Sequence, residues 1–186
     1  MSDNVTLIDL AHQFPSLNID LRYASADNLT GKPIYRQARC LLHPAAVPGL
    51  ERSINVARLA GFTLQVLDAY RPQQAQALLW QACPDTRYVT DTHTGSHHSR
   101  GVALDVTLLD HAGLALDMGT AFDEMNPRSH PFYPDLPPQL QRNRLLLNAV
   151  MAAGGFIGIA SEWWHFELPN AMAFPLLNDR FACYGD

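Results

Sequence analysis

The chain reads as an α+β fold in one domain over residues 1–186, a mainly antiparallel sheet flanked by helices. Three observations lead there. Strand-like and helix-like segments follow one another without a βαβα rhythm. The clearest strand, with Val102, Leu104, Val106 and Leu108 in strict alternation, runs into Asp110-His111-Ala112-Gly113, which suits a hairpin turn. The length of 186 residues, with 47% hydrophobic and 17% charged, suffices to bury a core without staples.

Each element has a local reason. Leu17 to Ala24 alternates in part and reads as a strand; Asp27 to Lys32 is turn-rich. Val47, Leu50, Ile54 and Ala57 recur at helical spacing, so a helix is expected over 47–60 with Gly61 as its stop. Phe62 to Ala69 is apolar and partly β-branched, a buried strand. Pro72 suits a first helical turn and opens a helix to about Cys83. Residues 84–100 are loop-like. After the alternating strand, Leu114 to Met118 is the expected hairpin partner. Residues 119–138 form a long proline-rich loop, of the kind that often carries function. Pro137 to Ala153 is the best helix, and Phe156 to Leu168 closes the core as one or two strands.

Composition excludes several classes. A net charge of −5 and a single lysine, Lys32, leave no basic footprint for nucleic acid. The longest apolar stretch, Leu145 to Ala160, is broken by Asn148 and Gly154-Gly155, so no membrane span is expected. MSDNVTLIDL lacks a basic n-region and a long apolar run. It does not read as a signal peptide, which suggests the cytoplasm, or the periplasm if an original leader is missing. Cys40, Cys83 and Cys183 are odd in number and lack C-x-x-C spacing, which suits reduced thiols better than a disulfide framework; one disulfide with a spare thiol is the alternative.

The chemistry concentrates in two clusters. The first runs from Ser96 to Asp105. His98 offers a nitrogen and Asp105 an oxygen, both suited to zinc. Asp105 points away from the face shared by Leu104 and Val106. His98 must sit in the preceding loop, with Gly101 supplying the bend. The second is Glu162-Trp163-Trp164-His165. A carboxylate beside two tryptophans is costly unless it is paired or coordinated. His165 would complete a three-ligand set with an open fourth position, and Glu162 would be the proton acceptor for water. Arg71, at a strand end before Pro72, is the candidate cation for a developing oxyanion. Each cluster also has a plainer reading: a solvent-face Asp after a surface His, an exposed Glu beside a core His, a surface arginine.

Ser96-x-His98-x-x-Gly101-x-Ala103-x-Asp105 followed by Glu162-x-Trp164-His165 resembles the zinc D-alanyl-D-alanine dipeptidases of the VanX type. Tyr23-Ala24, Asp27 to Pro33, Asp68-Ala69-Tyr70-Arg71-Pro72, Met118-Gly119, Phe122-Asp123 and Arg128-Ser129-His130 extend the likeness in order, over roughly residues 5 to 170. The resemblance implies one Zn2+ per chain on His98, Asp105 and His165, with Glu162 as general base and then acid. Arg71 would stabilise the transition state. Asp123 would meet the substrate ammonium, and Tyr23 and Ser96 would hold a small D,D-dipeptide. His97 is a confusable neighbour, but only His98 stands at the family spacing. His93, His111 and His130 read as loop residues. A D,D-carboxypeptidase acting on cell-wall peptides and a non-catalytic zinc-stabilised module are the alternatives; a homo-oligomer is compatible with either.

Overall fold

The computed structural model describes residues 5–179. Its elements in order are β1 (Ile8–Asp9), α1 (Leu10–Gln13), β2 (Asn18–Ile19), β3 (Leu41–Leu42), α2 (Val47–Leu59), β4 (Thr63–Asp68), α3 (Gln73–Ala82), β5 (Ala103–Leu109), α4 (Pro138–Ala153), β6 (Ile157–Gly158) and β7 (His165–Glu167), with short 3-10 turns between them. A five-stranded sheet has the order β2-β4-β5-β7-β6, and β1-β3 forms a separate two-stranded ribbon. Only the β2–β4 pair is parallel in the larger sheet. The expected α+β, mainly antiparallel architecture is what forms.

The helices lie close to their expected positions because their signals are local. Pro48 occupies the first turn of α2 and Gly61 follows its end at φ +83°. Leu50, Ser53 and Ala57 bury one stripe of α2. In α4 the buried positions Asn143, Arg144, Leu147, Val150 and Met151 recur at the same period. The two helices meet at Gly49 and Gly154, where a Cβ on Gly49 would stand 2.4 Å from the Gly154 carbonyl oxygen. Ser53 Oγ donates to the Val150 carbonyl at 2.9 Å beside this contact.

The core lies between these helices and one sheet face: Leu42, Leu50, Leu64, Val66, Leu104, Val106, Leu108, Leu147, Met151 and Phe166 are all within it. A second apolar cluster, with Tyr23, Tyr35, Ala75, Leu79 and Tyr88, lies under the loops. Every residue of β5 is buried. Its alternation therefore separates core from site rather than core from solvent.

Two expectations shift. The strand over 17–24 shortens to Asn18–Ile19, because the chain then turns through a 3-10 segment, Arg22–Ala24, with Arg22 bonded to Asp20 and Asp27. The Asp110 turn forms, its carboxylate accepting from Ala112 and Leu114 N–H, but only an isolated bridge Leu109↔Ala115 follows. The chain is then drawn away by Arg144, which binds the Met118 carbonyl. The stretch 156–168 forms two strands, β6 and β7, within the one or two expected. Cys40 is buried and Cys83 half-buried, while Cys183 lies outside the described residues. Among the described residues no helix is long and apolar enough to cross a membrane.

Candidate metal centre and catalytic cavity

The site is built on the central strands. The ladder sets Asp68 opposite Asp105, after a bulge between Val66 and Asp68, and Asp105 opposite His165. Three strands thus deliver three side chains to one end of the sheet face. His98 comes from a loop, as expected. It opens a 3-10 turn, His98–Arg100, ended by Gly101 at φ +77°. A Cβ on Gly101 would stand 3.1 Å from Leu7 Cδ2, so both its conformation and the space favour glycine.

His98, Asp105 and His165 are the one group of metal-ligand type among the described residues whose donor atoms converge. His98 Nε2 lies 3.1 Å from Asp105 Oδ1 and 3.2 Å from His165 Nδ1, and His165 Nδ1 lies 3.4 Å from Asp105 Oδ1. A tetrahedral zinc with bonds of roughly 2.0–2.1 Å separates its ligand atoms by about 3.3–3.4 Å. The triangle has the size of one such face. The outer nitrogens are already engaged, His98 Nδ1 donating to the Ala69 carbonyl at 2.8 Å and His165 Nε2 to Glu167 Oε1 at 2.7 Å. That arrangement turns the inner nitrogens' lone pairs toward the centre.

The electrostatics agree. Burial opposes a charged imidazole at His165, yet its bonds to Asp105 and Glu167 push it up to about 10. Burial would raise Asp105, but His98 and His165 outweigh it and hold its carboxyl far below the ordinary carboxylate range. Both displacements express one property: the centre of this cluster favours positive charge.

Around it lies a cavity of about 260 Å³, lined by Tyr23, Arg71, Ser96, Asp123, Glu162 and Trp164 as well as the cluster. This is small for a ligand pocket. Glu162 is 7% exposed, and burial pushes its carboxyl up to about 8, against the pull of His165. Ser96 Oγ accepts from the His98 N–H at 3.1 Å, so it also shapes the ligand turn.

Arg71 is clamped. Its Nε donates to Asp68 Oδ2 at 2.9 Å, Nη1 to Gln76 Oε1 at 2.8 Å, and Nη2 to Asp105 Oδ2 at 3.3 Å, with Asp68 Oδ2 also 2.8 Å from Nη2. Of the five guanidinium N–H groups, one on Nη1 remains for a ligand. Tyr35 steadies the clamp by donating to Asp68 Oδ1 at 2.6 Å, and the Tyr23 ring lies 4.9 Å beneath the guanidinium. Pro72 starts α3 in a way that puts Gln76 one turn on, beside Arg71.

Asp123 sits at φ +67°, the one non-glycine residue with a positive φ among the described residues. Its Oδ1 accepts from Tyr23 Oη at 2.8 Å and its Oδ2 from the Leu29 N–H at 3.0 Å. Burial still dominates and pushes it up to about 6.

All eight residues singled out in the sequence therefore line this one cavity. Asp68, Gln76, Tyr35 and Glu167 were not singled out. Asp68 had a signal, a carboxylate inside an apolar strand three residues before Arg71. Glu167 had another, since residues two apart on a strand share a face, here with His165. Gln76 and Tyr35 had none.

The sequence profile described as D-ala-D-ala dipeptidase matches residues 3–186. The D-alanyl-D-alanine dipeptidase of Escherichia coli K12 is 62% identical over 184 residues, 99% of this chain and 95% of that protein. Proteins of the same name from Streptomyces coelicolor and Enterococcus faecium are 35% and 32% identical, each over 80% of this chain and 84% of the relative.

Proposed function

Because the chain belongs to the D-ala-D-ala dipeptidase family, we propose that it hydrolyses free D-alanyl-D-alanine to two D-alanines in this cavity, with one zinc ion per chain. The observation that carries the reading is the triangle of His98, Asp105 and His165 donor atoms, set in a small cavity beside a buried glutamate and a clamped arginine.

Zinc held by these three residues would polarise the scissile carbonyl and acidify water. Glu162 takes a proton from the attacking water onto its carboxylate as the C–O bond forms, and later gives it to the leaving amine nitrogen as the tetrahedral species collapses and the C–N bond breaks. Burial suits this shuttle, since it brings the carboxyl toward neutral pH. Arg71 offers its remaining Nη1 hydrogen to the developing oxyanion, from a guanidinium that needs no reorganisation. Asp123, backed by Tyr23, meets the substrate ammonium, and Ser96 helps hold the dipeptide. A site that reads both charged ends in about 260 Å³ rejects longer or blocked peptides, because a missing end leaves buried polar groups unsatisfied.

All these side chains come from one chain, and the reading treats residues 1–186 as one cytoplasmic domain with no need of a second copy. The test is an assay on stereochemically defined dipeptides, with metal analysis of the same sample. Release of D-alanine from D-Ala-D-Ala, with little from its N-acylated form, is the expected result. Equal cleavage of the N-acylated peptide would instead establish a carboxypeptidase. A metal-loaded protein inert to every dipeptide would leave only a zinc-stabilised module.

A further inference from the structure

Outside the three donor atoms lies a second arrangement that the hydrolytic chemistry does not use. Glu167 is 8% exposed at the end of β7, and both of its oxygens are engaged by imidazoles. Oε1 accepts from His165 Nε2 at 2.7 Å, and Oε2 lies 2.5 Å from His97 Nδ1.

The geometry follows from two short sequence features. His165 and Glu167 are two apart on a strand, so their side chains share a face. His97 immediately precedes His98, so one peptide segment carries a cluster residue and the contact to Glu167. The result is a closed loop of residues: His98 and His165 converge at the centre, and His97 and Glu167 tie the same two segments together outside it. The outer side of His97 is engaged as well, its Nε2 lying 3.3 Å from Met172 Sδ.

Three functions for this tie can be compared. His97 as an alternative metal ligand is disfavoured, because its Nδ1 is committed to Glu167 and its Nε2 faces Met172. A surface ion pair would be expected to contribute little and to be exposed; Glu167 is buried. Orientation of His165 accounts for both oxygens at once. One fixes which imidazole nitrogen carries hydrogen, and the other fixes the carboxylate that does so.

We infer that Glu167 is a positioning residue for the metal centre, holding His165 with Nε2 protonated and Nδ1 turned inward, and that His97 holds Glu167 in place. This rests on the zinc reading above. Such outer partners typically change metal affinity by 10–100-fold.

The experiment is a zinc titration in competition with a chromophoric chelator, run on the full chain and on Glu167→Ala, Glu167→Gln and His97→Ala, with thermal unfolding of each metal-free protein. The full chain should bind one zinc. Glu167→Ala should loosen it by about 10–100-fold. Glu167→Gln should lie between, because its carbonyl still accepts from Nε2 while the charge is gone. His97→Ala should shift affinity in the same direction by less. If Glu167→Ala does not fold, the near-isosteric Glu167→Gln carries the comparison. Folded Glu167 variants that bind zinc within threefold of the parent overturn the inference, and a drop in metal-free stability with unchanged affinity makes Glu167 merely structural. Failure of the unmodified chain to bind zinc is a different result: it sinks the metal reading itself.

Discussion

Asp123→Asn should weaken binding of a free dipeptide while stabilising the fold. The carboxyl is buried, and burial lifts it from 3.8 to about 6. For an acid raised in the native state, the native protein holds more protons than the unfolded chain between those two values. The associated stability is full below 3.8 and is lost as pH rises to about 6; above that, the ionised native carboxylate costs about 3 kcal/mol. Asparagine escapes that cost and tolerates the left-handed backbone. Its oxygen can accept from the Leu29 N–H, and its amide can donate to Tyr23 Oη. Denaturant unfolding at pH 7 should therefore show a gain of up to about 3 kcal/mol. Binding should move the other way, because an ammonium needs the ionised carboxylate. With a value of about 6, roughly one carboxyl in eleven is ionised at pH 5 and ten in eleven at pH 7. The dissociation constant should thus rise about tenfold between pH 7 and pH 5. Calorimetric titration of D-Ala-D-Ala into a Glu162→Gln background reads this without turnover. Metal analysis of the same samples at both pH values controls for loss of zinc at low pH. Equal constants at both pH values, or an Asp123→Asn protein that binds free dipeptide as tightly as its parent, would show that Asp123 does not meet the ammonium.

Other substitutions separate the remaining roles. Glu162→Gln should retain zinc by metal analysis yet lose turnover by about 10²–10⁴-fold; near-normal turnover would remove it as the base. Arg71→Ala should lower kcat more than it raises KM, since its remaining donor acts on charge that develops only in the transition state. A change confined to KM would make it a ground-state clamp. Arg144 is 1% exposed and donates at 2.7 Å each to the carbonyls of Met118, His130 and Arg128. Arg144→Met would strand the Met118 and Arg128 carbonyls at about 1–3 kcal/mol each, while the His130 carbonyl keeps the Tyr133 N–H, and should cost about 2–6 kcal/mol in urea unfolding. It should also raise KM, because the freed loop carries Asp123; unchanged stability would contradict the assigned bonds.

Much of this molecule is visible along the chain because its signals are local. The 3.6-residue apolar spacing of α2 and α4, the proline starts and the glycine stop do not depend on distant partners. The alternation through Val102 to Leu108 marks β5 for the same reason, and it even separates Asp105 from the core-facing side chains. The chemistry-bearing residues are conspicuous because charged groups are rare in apolar, aromatic surroundings. Periodicity cannot show that both faces of β5 are buried, since a period of two reports two faces and not what covers them. The β1–β3 ribbon has two residues per strand, too few for a pattern. The Asp68–Arg71–Gln76 clamp, the Glu167–His97 tie and the Arg144 staple arise when folding brings together side chains whose partners lie on other segments or turn toward one another only in the folded chain. Strand register and the closure of loops over the sheet set those meetings, and the need to satisfy every buried charge makes each one specific.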